Sequence, residues 1–325
     1  MSEKRVIAVD MDVLREAEKN NIIEEAGKLG FEVIFSGGHG FEGFEDAEVI
    51  YGGPQVLSSG INLDRLKWFH SSYAGVNAFL VPGLLPGGVV LSGSSGAFGV
   101  AIAEHGMMLT LDLIRNMPKY QERVRNRIWS HDLSFNSIYG SRVTLLGTGD
   151  IGSEYARRIR PFCPESITGV NRSGRVGDEN KDLYDRIVTS DQLDIVLPET
   201  DILFMSLPGT KETDRIIDGK RIALLPKNAF IINVGRGNSI DQKALCDALE
   251  HEVIAGAGID VFETEPLPEN DPAWDTKNLL ITTHCAGWMD LDYTRRKNME
   301  IFLEYLKAYS KGDPVPGAID RAVGY

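Results

Sequence analysis

Leu145-Leu146-Gly147-Thr148-Gly149-Asp150-Ile151-Gly152 sets G-x-G-x-x-G directly after an apolar run that begins at Val143, and Ser153 to Arg160 continue as a helical pattern. In a strand–turn–helix unit, Gly147 permits the tight turn, Gly149 lets a pyrophosphate approach the backbone, and Gly152 lets helix and strand pack closely. The helix N-terminus then faces the phosphates. A second apolar run, Ile167 to Val170, follows at the distance of the next strand in a dinucleotide-binding unit. Gly147, Gly149, Asp150, Ile151 and Gly152 are therefore expected at a cofactor. An isolated G-x-G-x-x-G also describes an ordinary glycine turn, so the flanking runs carry the reading.

Outward from this stretch, short Val- and Ile-rich runs alternate with longer helical patterns: Val6 to Val9, Phe31 to Phe35, Val49 to Tyr51, Ile202 to Leu207, Phe230 to Val234 and Leu279 to Thr282. Continuous apolar strands between helices indicate parallel sheets covered on both faces, and their number calls for two sheets. The 325 residues are enough for two hydrophobic cores. The break between them is expected at Ser92-Gly93-Ser94-Ser95-Gly96, ahead of a long helical pattern from Val100 that should stop before Pro118. An amphipathic pattern through Met299, Phe302, Tyr305 and Leu306 is placed back on the first domain.

Composition removes several classes of function. Apolar residues make up 42% and charged residues 25%, as in ordinary globular proteins. The net charge of −13 is spread without a basic stripe, so no nucleic acid partner and no anionic membrane are expected. No apolar stretch is long enough to span a membrane and no signal-peptide pattern precedes Val6, so a cytoplasmic location is expected. Cys163, Cys246 and Cys285 show no C-x-x-C spacing, which argues against a disulfide framework and a metal cluster.

The residue ending the second strand of a dinucleotide unit reports on the ribose. An acidic side chain there accepts from the 2′-hydroxyl of NAD, whereas this chain has Asn171-Arg172-Ser173. One cation and two neutral side chains favour NADP over NAD.

Reducing a 2-oxo acid needs a cation for the carboxylate, a proton donor for the developing alkoxide and a nearby nicotinamide. Asn233-Val234-Gly235-Arg236-Gly237 delivers an arginine from the end of a buried strand, where open α/β sheets bind ligands, and a guanidinium grips a carboxylate with two donors. Asp260-Val261-Phe262-Glu263-Thr264-Glu265-Pro266-Leu267-Pro268 and then Thr282-Thr283-His284-Cys285-Ala286-Gly287 follow. His284 can give a proton near neutral pH, and Glu265 can orient it and favour the protonated ring. Each has a bland reading when taken alone: a structural arginine, a loop glutamate, a core histidine.

In this order the three motifs closely resemble the D-isomer-specific 2-hydroxyacid dehydrogenase family, in particular its glyoxylate/hydroxypyruvate reductases. The resemblance covers nearly the whole chain. It includes Ser72-Tyr73-Ala74-Gly75-Val76-Asn77, similar to the family's substrate loop, whose backbone amides hold the carboxylate; Ile102 to His105; Leu207-Pro208-Gly209-Thr210-Lys211-Glu212-Thr213; and Gly324-Tyr325. The resemblance implies two doubly wound α/β domains, a Rossmann-type nucleotide domain (99–288) inserted into a flavodoxin-like substrate domain (1–98 plus 289–325). It implies Arg236 as the substrate-binding cation, Glu265 as partner of His284, and His284 as acid–base. Tyr73, Ala74 and Gly75 would contact substrate. Leu207, Pro208, Thr213, Val234, Asp260 and His284 would join the glycine turn and Asn171, Arg172 and Ser173 around the cofactor, with Asp260 positioning the nicotinamide carboxamide.

Arg125-Asn126-Arg127-Ile128-Trp129 resembles the extension that packs two family subunits together, which implies a homodimer. The chain departs from the family at Gly93 and Ser95, where Asn and Pro are frequent, and at Thr283, where a proline usually precedes the histidine. Trp288 and Met289 replace smaller residues and would bias side-chain preference. Val9-Asp10-Met11-Asp12-Val13 looks like the nucleophile motif of haloacid-dehalogenase-type phosphatases, but no paired-aspartate metal site follows it. His105 is read as a packing or hydrogen-bonding residue, and Cys285 as a small thiol rather than a nucleophile. A cofactor-sensing binding protein of the same fold, without turnover, is the alternative class.

Overall fold

The structure is a computed structural model that describes residues 4–37 and 40–321. Gly324-Tyr325 lies outside the described residues. The chain divides into two compact units, one of residues 1–98 and 288–325 and one of residues 99–287, the second interrupting the first in sequence.

The first unit holds a five-stranded parallel sheet of β1 (Arg5–Asp10), β2 (Phe31–Phe35), β3 (Val49–Gly52), β4 (Trp68–Ser71) and β5 (Val90–Gly93), in the order β2-β1-β3-β4-β5. This is the flavodoxin-like order. Alternation sorts each strand's side chains onto two cores. Ile7, Val9, Val49 and Tyr51 pack on one face with α1 (Glu16–Lys28) and the last helix of the chain (Asp292–Ser310), while Ala8, Ile50 and Phe69 pack on the other. Met299, Phe302 and Leu306 of the last helix are buried in the first of these cores.

β4 and β5 are strands that the sequence pattern did not single out. The expected break at Ser92-Gly93 is the end of β5, with Ser92 and Ser94 fully buried, and the second unit begins at Gly99.

The second unit opens with α2 (Gly99–Ile114) and α3 (Met117–Arg125). The helical pattern breaks at Arg115-Asn116, and Pro118 sits in the first turn of α3 rather than beyond the end of a single helix. Its sheet comprises β6 (Arg142–Leu146), β7 (Ser166–Asn171), β8 (Arg186–Thr189), β9 (Ile202–Met205), β10 (Phe230–Asn233), β11 (Gly256–Ile259) and β12 (Leu279–Ile281), all parallel. The order β12-β11-β10-β9-β6-β7-β8 is the Rossmann order with one further strand. Val143, Leu145, Ile202 and Phe204 face one core, and Leu146, Leu203 and Met205 the other. Each fully buried side chain of this size contributes about 1.5–3 kcal/mol.

α2 lies on the first of these cores beside α4 (Asp150–Ile159). Thr110 Oγ1 meets the Tyr155 hydroxyl at 2.7 Å, and the Tyr155 ring stacks on Phe204 at 3.7 Å. The chain builds outward from β6 through β7 to β8 and then returns to add β9 on the other side of β6, so the strand order reverses between the parallel neighbours β6 and β9, and the carboxyl ends of those two strands are the place where such sheets take ligands.

Candidate active site

The glycine turn leaves β6 at that switch point. Gly147 has φ 104, and a Cβ there would lie 3.0 Å from the Ser206 carbonyl at the end of β9. A Cβ on Gly152 would lie 2.0 Å from the Gly147 carbonyl, so only glycine lets α4 start this close to the turn. A Cβ on Gly149 would meet nothing within 4 Å, so no protein atom crowds the space its backbone faces. Asp150 and Ile151 form the first turn of α4. Two glycines demanded by the fold, one facing open space and a helix N-terminus at the switch point together fit a dinucleotide pyrophosphate.

At the end of β7 the Asn171 amide braces the following loop. Nδ2 donates to Thr148 Oγ1 (2.6 Å) and to the Arg175 carbonyl (2.8 Å). Oδ1 accepts from the Ser173 and Gly174 amides at 3.0 and 2.7 Å. Asn171 thus shapes the loop that displays Arg172 and Ser173, both exposed. Arg172 also acts electrostatically on Glu212, whose carboxyl is held below the usual range by its own backbone, by Thr210 and by Arg172 and Lys211. Arg175 is exposed on the same loop and was overlooked in the sequence, although it stands three residues beyond Arg172.

Leu207 and Pro208 continue from β9 into a turn closed by Thr213, whose hydroxyl donates to the Pro208 carbonyl at 2.6 Å. Val234 is buried and bonds to Met205 across the end of the sheet.

Arg236 follows β10, and its backbone carbonyl accepts from Asn233 Nδ2 (3.0 Å) and Ser239 Oγ (2.6 Å), a clamp that fixes where the side chain leaves the loop. One guanidinium nitrogen donates to the Gly235 carbonyl at 2.7 Å, and the others have no acceptor among the described residues. Partial burial pulls this guanidinium down from its ordinary value while the Glu265 charge pulls it back up. It stays a cation with donors to spare.

Glu265 accepts from the Phe262 amide through Oε1 (2.9 Å) and meets His284 Nδ1 through Oε2 at 2.6 Å. His284 has φ 55, and its amide donates to the Asp260 carbonyl at 2.8 Å. The Asp260 side chain is almost wholly buried. Its Oδ1 accepts from Thr282 Oγ1 (2.6 Å) and the Cys285 amide (3.0 Å), and its Oδ2 from the Ala286 amide (3.1 Å). Asp260 therefore anchors the loop that carries His284.

His105 lies 2.9 Å from Thr282 Oγ1, which gives its own proton to Asp260, so His105 Nε2 is the donor. Burial lowers this histidine and Asp260 raises it. His105, Asp260 and Cys285 bring polar atoms within 4.8 Å of one another, a grouping that the cysteine spacing gave no sign of. The carboxylate at its centre is already occupied by protein donors.

Arg236, Glu265, His284 and Asp260 all belong to the second unit. Tyr73, Ala74 and Gly75 belong to the first, in the exposed loop that follows β4. Among the described residues no helix is long and apolar enough to cross a membrane.

The profile of the D-isomer specific 2-hydroxyacid dehydrogenase NAD binding domain matches residues 107–286. A glyoxylate reductase of Korarchaeum cryptofilum is 30% identical over 241 residues, 73% of this chain and 70% of that protein. A D-isomer specific 2-hydroxyacid dehydrogenase family protein of Aeromonas salmonicida superposes with a TM-score of 0.84 at 27% identity, over 98% of this chain and 100% of that one. The NADPH-dependent glyoxylate/hydroxypyruvate reductase of Sinorhizobium meliloti, solved with NADP and sulfate, superposes at 0.78 with 26% identity over 99% and 100%. The chain belongs to the D-isomer-specific 2-hydroxyacid dehydrogenase family. It is an NAD(P)-dependent oxidoreductase.

Proposed function

We propose that the protein reduces small 2-oxo acids to D-2-hydroxy acids with NADPH, using His284 as acid–base, Glu265 as its orienting partner and Arg236 as the carboxylate-binding cation. The contact of His284 Nδ1 with Glu265 at 2.6 Å carries this reading. An ionised Glu265 only accepts, so Nδ1 keeps its proton and Nε2 is the atom that gives a proton to the alkoxide oxygen in reduction and takes it back in oxidation. Arg236 has the unspent donors to grip a carboxylate and to polarise the neighbouring carbonyl. The nicotinamide, when bound, supplies the hydride. The resemblance of loop 72–77 to the family's substrate loop supports Ala74 and Gly75 as backbone donors to the substrate, and Asp260 holds the loop that carries His284.

NADP is favoured by the absence of a carboxylate at the end of β7 and by Arg172, Ser173 and Arg175 on one loop. The NADP in the Sinorhizobium meliloti structure supports the same choice. The unit with the glycine turn serves as the dinucleotide domain and the other as the substrate domain.

A homodimer is proposed from Val124, Ile128 and Trp129, which stand 73%, 52% and 91% exposed in and just after α3. Light scattering should give twice the mass of the 35.8 kDa chain, and Trp129→Glu should give the single chain.

Loss of NADPH or NADH absorbance with a panel of 2-oxo acids tests the activity. Turnover of glyoxylate or hydroxypyruvate, faster with NADPH, is expected. No turnover of any 2-oxo acid with either coenzyme would overturn the reading in favour of a cofactor-sensing binding protein.

A further inference from the structure

The first unit contains a buried polar chain that the active-site residues do not use. Trp68 Nε1 donates to Ser92 Oγ at 2.9 Å, and Ser92 Oγ lies 2.8 Å from His70 Nδ1. His70 Nε2 lies 3.1 Å from Ser94 Oγ, which in turn lies 2.9 Å from both the Ser71 carbonyl and Asn298 Oδ1. Asn298 Oδ1 also accepts from the Tyr51 hydroxyl at 2.7 Å, and Asn298 Nδ2 donates to the Ser72 carbonyl at 2.7 Å. Tyr51, His70, Ser92, Ser94 and Asn298 are all fully buried.

The direction of every bond follows from its ends. The Trp68 indole can only donate, and the carbonyls of Ser71 and Asn298 can only accept. Ser94 must therefore spend its proton on those oxygens and receive one from His70 Nε2–H, while His70 Nδ1 receives the Ser92 proton. One tautomer of a neutral ring satisfies the whole chain. Burial without a charged partner pushes His70 down to about 3, so the ring is neutral in any working buffer.

The chain ends on one short segment. It holds the carbonyls of Ser71 and Ser72, and the Ser94 amide holds that of Tyr73 at 3.2 Å. Ser71 Oγ holds the Tyr73 amide at 3.1 Å. Immediately beyond, the amides of Ala74 and Gly75 have no partner among the described residues, and Ala74 is exposed. A rigid base with spent carbonyls thus leads into two unspent donors, which is what holding an anion requires.

We propose that Asn298 and Ser94 are positioning residues for the 2-oxo acid: the chain running from Trp68 through His70 to Asn298 fixes segment 71–73 so that the Ala74 and Gly75 amides meet the substrate carboxylate. This rests on the reading of loop 73–75 as a carboxylate site. A structural role alone would lower the melting temperature and leave substrate binding unchanged in the enzyme that folds.

Steady-state kinetics with glyoxylate and NADPH separate the cases. In Asn298→Leu and in Ser94→Ala, the KM for glyoxylate should rise roughly tenfold, with the KM for NADPH held within about twofold. Gly75→Pro removes one of the unspent amides and tests the loop directly. A raised glyoxylate KM in Gly75→Pro, with Asn298→Leu and Ser94→Ala unchanged, would overturn the positioning role and leave the loop reading intact. An unchanged KM in Gly75→Pro would overturn the loop reading and the proposal with it. Should Asn298→Leu not fold, Ser94→Ala, which deletes a single oxygen, decides alone.

Discussion

One oxygen of Glu265 accepts from the backbone at Phe262 and the other meets His284 Nδ1 at 2.6 Å, so the carboxylate is itself held while it holds the ring. Reduction consumes a proton from His284 and oxidation needs the neutral ring. Glu265→Gln should lower kcat for reduction by roughly a hundredfold, the scale of a lost acid–base contribution. Reduction and oxidation slowed together in His284→Ala are the expected record.

Among the described residues the Arg236 guanidinium makes one hydrogen bond, to the Gly235 carbonyl. Lysine there would keep the charge and lose the two-pronged grip. Arg236→Lys should lower kcat/KM for glyoxylate by about a hundredfold or more, equivalent to roughly 3 kcal/mol of transition-state binding. Near-normal kcat/KM would take Arg236 out of the substrate's reach.

Coenzyme choice should depend on both arginines of the loop after β7. Arg172→Ala and Arg175→Ala should each weaken NADPH by roughly tenfold to a hundredfold, as expected for losing a charge-assisted contact, and leave NADH nearly unchanged. Asn171→Asp should behave differently. A carboxylate cannot donate to the Arg175 carbonyl as Nδ2 does, so the loop loosens and kcat/KM should fall with both coenzymes. Retained NADPH preference in the double arginine variant would place the phosphate elsewhere.

His70 links stability to pH. Burial lowers it from 6.5 to about 3, so between those values the unfolded chain takes a proton that the native chain refuses. Its contribution is fully present above about 6.5 and is lost as pH falls towards about 3, at about 1.4 kcal/mol per pH unit. His70→Gln should lack this slope. Urea unfolding at about pH 7 and about pH 5 should show the natural protein losing roughly 2 kcal/mol more than the variant.

The glycine turn, most of the apolar strands and the motif order around Arg236, Glu265 and His284 were legible because each is local in sequence. β4, β5, β8 and β11 were not. The buried residues of β4 and β5 include His70, Ser71 and Ser92, which read as loop polarity until a partner is known. Part of that partnership is Asn298, 204 residues beyond Ser94. The work of Asn171 was hidden for a related reason: a side chain at a strand end looks like a ligand contact, and its amide is spent on Thr148 and Arg175 only once the chain has folded. Asp260 shows the same limit, since its donors come from a loop more than twenty residues downstream.

His284 stands three residues past β12, the three-residue strand at the edge of the seven-stranded sheet, none of whose side chains is fully buried. Edge strands this short are among the first elements of a sheet to open. When β12 frays, the loop anchored on Asp260 goes with it, and the imidazole leaves Glu265 before the sheet's centre is disturbed. Warming or mild denaturant should silence the protein while its circular dichroism is still that of the native state, so catalytic output reports on the margin of the sheet and not on its middle.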